Sequence, residues 1–540
     1  MRPVLTFILG TLLLAQQTQQ DAVRPATIDG IAKNLKTGEP LADVRVTVTP
    51  ELLSDTGPAA ATRSATTDEE GKFTITGVLP GRYLVAGTRT LFFRPRRNTG
   101  AVTLTLAADQ KLRDVQILLM PTGVIAGRVV DENREPLRSI RIEALRTEYR
   151  NGVRTLVAAG NNTSDDRGEY RVFNLPPGTY YIRATQNTGV NSGPALYYPG
   201  VTDFQDAPGI EVAPGAELGA VDVIMRRTAE YSVQLKLGGV TAGSTATLSI
   251  QRRNSRLTET VLSRVETLPD HTYRFTRLAP GAYEIAVFIA TPAAPGQPRI
   301  VTHAGTIPVN IGRADEDLGT VSVRATVPVT GRIVTPDPLP APLDIKRLAL
   351  SLVALSTTNA LSSTIRGSAS PPGLNDDGTF VLPNVAAGRY QIQVAGLPPD
   401  TYLIGARAGG REVLDTGYTA SGDQTALEVV IGGAGSVGVI EGTVVNGRGE
   451  PMPGSAVVLV PAADRRSNPS AYRNTFADQQ GNFSIRSILA GEYRILAWED
   501  IEPGAYMDPD FLKDFETRGE GVRVQRGSQN TLAVRVIPAS

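Results

Sequence analysis

Cysteine is absent from this 540-residue chain, and histidine (2) and tryptophan (1) nearly so. Without cysteine there is no disulfide, zinc ribbon, iron–sulfur cluster or thiol nucleophile. Two histidines leave little material for a His-based zinc site or a Ser-His-Asp triad. Lysine is scarce too. It stands only at 33, 36, 72, 111, 236, 346 and 513, so 47 of the 54 basic residues are arginine. No charge of one sign prevails, because 54 basic residues meet 54 acidic ones. Nucleic acid or an anionic membrane is therefore not expected as the main partner. Only the N-terminus carries a long apolar run. Residues 1–15 hold one arginine and then a mostly apolar stretch, and the Gln-rich 16–20 follows. This is the shape of a secretory signal peptide over residues 1–22, too short for a comfortable transmembrane helix. The chain is expected to be exported (periplasmic, cell-surface or extracellular), with no transmembrane segment after signal removal.

What is abundant is glycine (54) and proline (38), and much of both falls in a repeat of about 100 residues. Pro/Ala-Gly-x-Tyr occurs five times, ending at Tyr83, Tyr180, Tyr283, Tyr390 and Tyr493, with spacings of 97, 103, 107 and 103. Its glycines are Gly81, Gly178, Gly281, Gly388 and Gly491. Ten residues before each Tyr stands an aromatic: Phe73, Tyr170, Tyr273, Phe380 and Phe483. Two residues before that aromatic come Gly71, Gly168, Gly378 and Gly481, with His271 in the third copy. Asp68, Asp165 and Asp478 precede the glycine by three, and Asn375 does so in the fourth copy. An opening glycine (Gly30, Gly127, Gly331 or Gly442) interrupts a β-branched run 51–59 residues before the Tyr in four copies.

Within each copy apolar residues alternate, as in Phe73 and Ile75, Tyr180 and Ile182, or Tyr493 and Ile495. That is the pattern of strands with one apolar face. Helical periodicity is scarce, and residues 509–516 are the best candidate. Asp-x-x-Gly fits a type I turn whose glycine takes positive φ, and Pro-Gly fits the centre of a type II turn. Strand, Pro-Gly, strand then reads as a hairpin. Its Tyr is expected to bury its ring and find a partner for its hydroxyl. The architecture expected is all-β, a tandem array of about five β-sandwiches: 23–120, 121–227, 228–325 (degenerate), 326–433 and 434–540. Residues 432–436, Gly-Gly-Ala-Gly-Ser, are the best candidate for a flexible hinge.

The order of landmarks resembles the carboxypeptidase regulatory-like domain. In copy one these are Gly30, Gly38-Glu39-Pro40-Leu41, Asp68 to Phe73 and Pro80 to Tyr83. The resemblance implies a transthyretin-like sandwich, close to collagen-adhesin B-type repeats and starch-binding-like sandwiches. It also implies an accessory module of exported bacterial proteins with no catalytic role of its own.

The residues do not fit three specific chemistries. A zinc carboxypeptidase needs His-x-x-Glu, and neither His271 nor His303 has Glu at the third position. The acidic turns at 68–70, 165–166 and 375–377 lack the alternating ligands of a calcium loop. A Lys–Asn isopeptide bond wants a lysine in each opening strand, and copies two, four and five have none. No cofactor and no catalytic residue are expected. Two aromatic-rich loops remain as candidate ligand surfaces: Tyr197 and Tyr198 in copy two, and Trp498, Tyr506 and Phe511 in copy five. Exposed rings there would stack on sugar, and packed rings would only cover the sandwich. The expected function is an exported, non-catalytic binding or structural protein. Its possible partners are a polysaccharide or another envelope protein, including a separate peptidase or an outer-membrane transporter.

Overall fold

The computed structural model describes residues 24–50, 61–95, 101–186, 195–253, 258–260, 265–291, 300–344, 347–355, 374–422 and 425–539. The expected signal peptide lies outside the described residues. Strands dominate, and five large hydrophobic clusters draw their fully buried residues from 26–119, 125–223, 233–311, 329–429 and 440–534.

The first copy shows the plan. An opening strand, Ala26–Asn34, lies between the aromatic strand Lys72–Val78 and the closing strand Lys111–Pro121. A second sheet places the tyrosine strand Gly81–Thr88 between Arg45–Pro50 and Ala101–Leu106. The tyrosine strand alternates buried Tyr83, Val85 and Gly87 with less buried neighbours, which is why one face can cover the other sheet. Ile28, Val46, Phe73, Tyr83, Val85 and Ile117 meet between the sheets. Opening and closing strands run parallel, so the two ends of a copy are hydrogen-bonded side by side.

The same plan holds along the chain. Opening strands Gly123–Asp131, Tyr231–Leu237, Val327–Val334 and Val437–Val445 each pair antiparallel with the aromatic strand. Each also pairs parallel with a closing strand. In copy five the closing strand, Gln529–Ile537, reaches Trp498 as well and joins both sheets into one path.

Three expectations need correction. Pro-Gly does not close a hairpin. In copies one to four the aromatic strand belongs to one sheet and the tyrosine strand to the other, and in copy five the two strands stand apart in the joined path without pairing with each other. The chain therefore turns a corner across the sandwich. Accordingly Gly81, Gly178, Gly281 and Gly491 hold φ of +152°, +145°, +153° and +159°, not the value near +80° of a type II turn. Residues 432–436 are not a hinge. They continue the strand Leu427–Gly433 into a short 3-10 turn, Ala434–Ser436. There a Cβ on Gly432 would come within 2.6 Å of Ile404. Gly432 allows this close approach. The helix at 509–516 shortens to Pro509–Leu512, started by Asp508, whose side chain accepts from the Asp510 amide.

Candidate functional site

The two aromatic loops are occupied by packing. Tyr197 is 1% exposed and meets Phe204 edge-on, with ring centroids 5.8 Å apart. Tyr198 is partly buried against the core of copy two. Trp498 is 2% exposed and meets the Phe515 ring edge-on at 5.8 Å. Tyr506 is buried, and the half-buried Phe511 stacks at a tilt on Phe515, 5.0 Å away. Tyr197, Trp498 and Tyr506 thus offer no free face for a sugar, which corrects the expectation of a ligand surface there. The cause is legible in the strand beneath. In Ala456–Pro461, Val457 and Leu459 enter the main core, while Val458 and Val460 point to the other face. The loop covers that second apolar face.

The repeated landmarks converge on the inter-sheet corner. Each Tyr hydroxyl donates to the carbonyl four residues earlier, just before the corner. Tyr83 reaches Leu79 at 2.7 Å, Tyr180 reaches Pro176 at 2.5 Å and Tyr283 reaches Ala279 at 2.8 Å. Tyr390 reaches Ala386 at 2.7 Å and Tyr493 reaches Leu489 at 2.9 Å. All five rings are at most 5% exposed. Burial pushes the Tyr390 phenol up to about 12 and also raises Tyr83.

The opening glycine sits across the sheet from the aromatic, as in Gly30 opposite Phe73 and Gly442 opposite Phe483. A Cβ on Gly442 would lie 2.0 Å from the Leu532 carbonyl and 2.9 Å from the Phe483 ring. The glycine lets the ring lie across the backbone and the closing strand approach. Copy three, without that glycine, pairs Leu235 with Tyr273 instead.

The Asp-x-x-Gly turns behave as expected. Gly71, Gly168, Gly378 and Gly481 hold φ of +74°, +72°, +81° and +80°. The carbonyl of each accepts from the opening strand, as does that of His271, which itself takes φ +55°. Asp68, Asp165 and Asp478 accept amides of their own turn, so these carboxylates are engaged locally.

A polar junction that sequence reasoning missed lies between copies four and five. Arg465 donates through Nε to Asp415 at 2.6 Å and through Nη1 to the Tyr493 hydroxyl at 3.1 Å. Its guanidinium stands 5.3 Å from the centroid of that ring. Burial works against the Arg465 charge, but Tyr493 and Asp415 outweigh it and its pKa is raised. Asn468, 4% exposed, donates to Asp415 and accepts from Gln391. Beside this network is a cleft of about 540 Å³ lined by Glu412, Asp464, Glu492 and Arg526 among others. Burial raises the Tyr493 phenol, which donates to Leu489 within copy five and accepts from the Arg465 that reaches across to Asp415. No repeat motif marks Asp415 or Asn468, so the sequence held no signal for them.

Residues 27–117 match the carboxypeptidase regulatory-like domain. Colossin-A of Dictyostelium discoideum is 22% identical over 492 residues, covering 81% of this chain. The chain spans about 4% of that much longer protein. Among solved structures, the minor pilin GBS52 of Streptococcus agalactiae is similar over 38% of this chain and 96% of its own (18% identity, TM-score 0.24). The shaft pilin SpaA of Lactobacillus rhamnosus GG is similar over 38% and 98% (14% identity, TM-score 0.21). Residues 27–117 thus match the carboxypeptidase regulatory-like domain, and the strand plan of that segment recurs along the chain.

Proposed function

We propose that the chain is an exported, non-catalytic modular protein of the cell envelope or surface, built of five sandwiches divided as in the sequence. One observation carries this reading. The recurrent polar residues are engaged in architecture: the turn carboxylates hold their own amides, and the Tyr hydroxyls hold the corners. The family of the first domain agrees with it. Burial of Tyr197, Trp498 and Tyr506 leaves those three rings no face for sugar, which weighs against a polysaccharide partner. Another envelope protein is therefore the partner proposed. Among the described residues no helix is long and apolar enough to cross a membrane.

The test is twofold. Cell fractionation should find the chain outside the cytoplasm, with an intact mass short of about the first 22 residues. Purified protein should turn over neither peptide nor glycoside substrates. Chelator-sensitive hydrolysis, or an unprocessed cytoplasmic chain, would overturn the reading.

A further inference from the structure

Several successive copies touch. Lys36 donates to the Pro214 carbonyl at 2.9 Å, Arg252 to the Thr202 carbonyl at 2.9 Å, and Arg465 bridges copies four and five. Two further contacts join copies far apart in sequence, and both end on copy five.

The first is at its Asp-x-x-Gly turn. Gln479 accepts from the Thr105 amide at 3.0 Å and donates to the Thr105 carbonyl at 2.9 Å. Thr105 lies on Ala101–Leu106, the edge strand of copy one. A neighbouring strand would make the same two bonds, so the amide side chain stands in for a strand at an open edge. The Thr105 hydroxyl donates to Asp478 at 2.9 Å, and Arg82 donates to the Phe476 carbonyl. Asp478 is consequently 4% exposed, whereas Asp68, Asp165 and Asn375 at the same repeat position are exposed. The sequence departs at this place as well. Copy five has Gln479-Gln480 where the other Asp/Asn-x-x-Gly copies have charged pairs. Unlike a carboxylate or a guanidinium, a neutral amide both donates and accepts.

The second contact is at the long loop of copy five. The tip of the copy-two hairpin, Ile140–Arg150 with Val153–Thr163, seats Gly152 against it. A Cβ on Gly152 would lie 2.6 Å from the Met507 carbonyl, and one on Gly504 would lie 3.1 Å from Tyr149. Arg154 donates to the Tyr149 hydroxyl and is further stabilised as a cation by Glu502 and Asp508.

We propose that copy five is a latch for its own chain. Its Gln479 turn holds the edge of copy one, and its 499–518 loop holds the hairpin of copy two. The array is thereby closed on itself and is not an extended string. The aromatic loop that sequence singles out as a partner surface has copy two of the same molecule as its partner.

The cysteine-free sequence permits a clean test. Ala107 and Gln480 are exposed beside the contact. The double variant Ala107→Cys/Gln480→Cys, treated with a short bismaleimide in dilute solution, should cross-link within one chain. Mass spectrometry of the digest should recover the 107–480 peptide pair. Ala107→Cys/Arg167→Cys, which uses the equivalent turn of copy two, should not link within the chain. Adding Gln479→Ala should slow the 107–480 link at least fivefold. X-ray scattering of the unmodified chain should give a radius of gyration nearer the roughly 24 Å of one compact body of this length than twice that value. A missing link, a link only between two molecules, or the scattering of an extended string would overturn the proposal.

Discussion

The five corner tyrosines divide two roles between ring and hydroxyl. The ring fills the space where the sheets meet, and the hydroxyl satisfies a carbonyl that the corner withdraws from any ladder. Tyr390→Phe keeps the ring and strands the Ala386 carbonyl, which is 2.7 Å from the hydroxyl. A buried acceptor left without its donor costs about 1–2 kcal/mol. Hydrogen exchange should show faster opening confined to Gly388–Ala395 and its neighbours Ala349–Ala354 and Tyr418–Ala420. The opening glycines make a sharper contrast. Gly442→Ala drives a methyl into the Leu532 carbonyl and the Phe483 ring and should cost about 3 kcal/mol. Gly447→Ala, with no atom within 4 Å of the new methyl, should leave the urea midpoint nearly unchanged. Equal effects of the two substitutions would mean that glycine is needed in this stretch for chain freedom and not for close approach.

The aromatic strand carries a feature that the repeat pattern hid. Four residues after each aromatic, Gly77, Asn174, Arg277, Asn384 and Ser487 all take left-handed φ, at +74°, +63°, +62°, +62° and +57°. At each one the register with the opening strand slips by a bulge. A side chain in this conformation costs roughly 1–2 kcal/mol, less where Asn or Asp occupies it. Ser487→Gly should therefore stabilise copy five by about 0.5–1 kcal/mol, after the chain entropy that glycine loses. The check is a raised urea midpoint with an unchanged slope. The mixed residue types explain why sequence did not reveal the bulge: backbone geometry is kept while side chains vary. The Phe73, Gly81 and Tyr83 landmarks were legible because each needs a particular side chain, or none, at a crowded point. The Pro-Gly corner was legible as a turn but not as a change of sheet, since alternation reads the same on either side. The packed loop at 499–518 was visible as a departure from the plan. Its burial depended on the unbroken apolar run of Ala456–Pro461, which gives the strand two faces to cover.

Across the whole molecule, the shared device implies a shared weakness. Burial raises the phenol pKa of Tyr83, Tyr273 and Tyr390 in three different copies, and of Tyr472, Tyr493 and Tyr506 in copy five. Tyr390 and Tyr472 both reach about 12. A phenol raised in the fold favours the folded state by staying neutral there. That contribution is complete below the unfolded value near pH 10 and is lost as pH climbs through the folded value. Stability should thus hold through neutral and mildly alkaline pH and collapse between about pH 10 and 12. Tyrosinate absorbance near 295 nm should rise steeply and together with loss of the β-sheet circular dichroism signal. Tyr390→Phe should remove one phenol from that cooperative step. Gradual ionisation centred on pH 10 with the sheet signal intact would show that the corner hydroxyls are open to solvent and do not hold the sandwiches together.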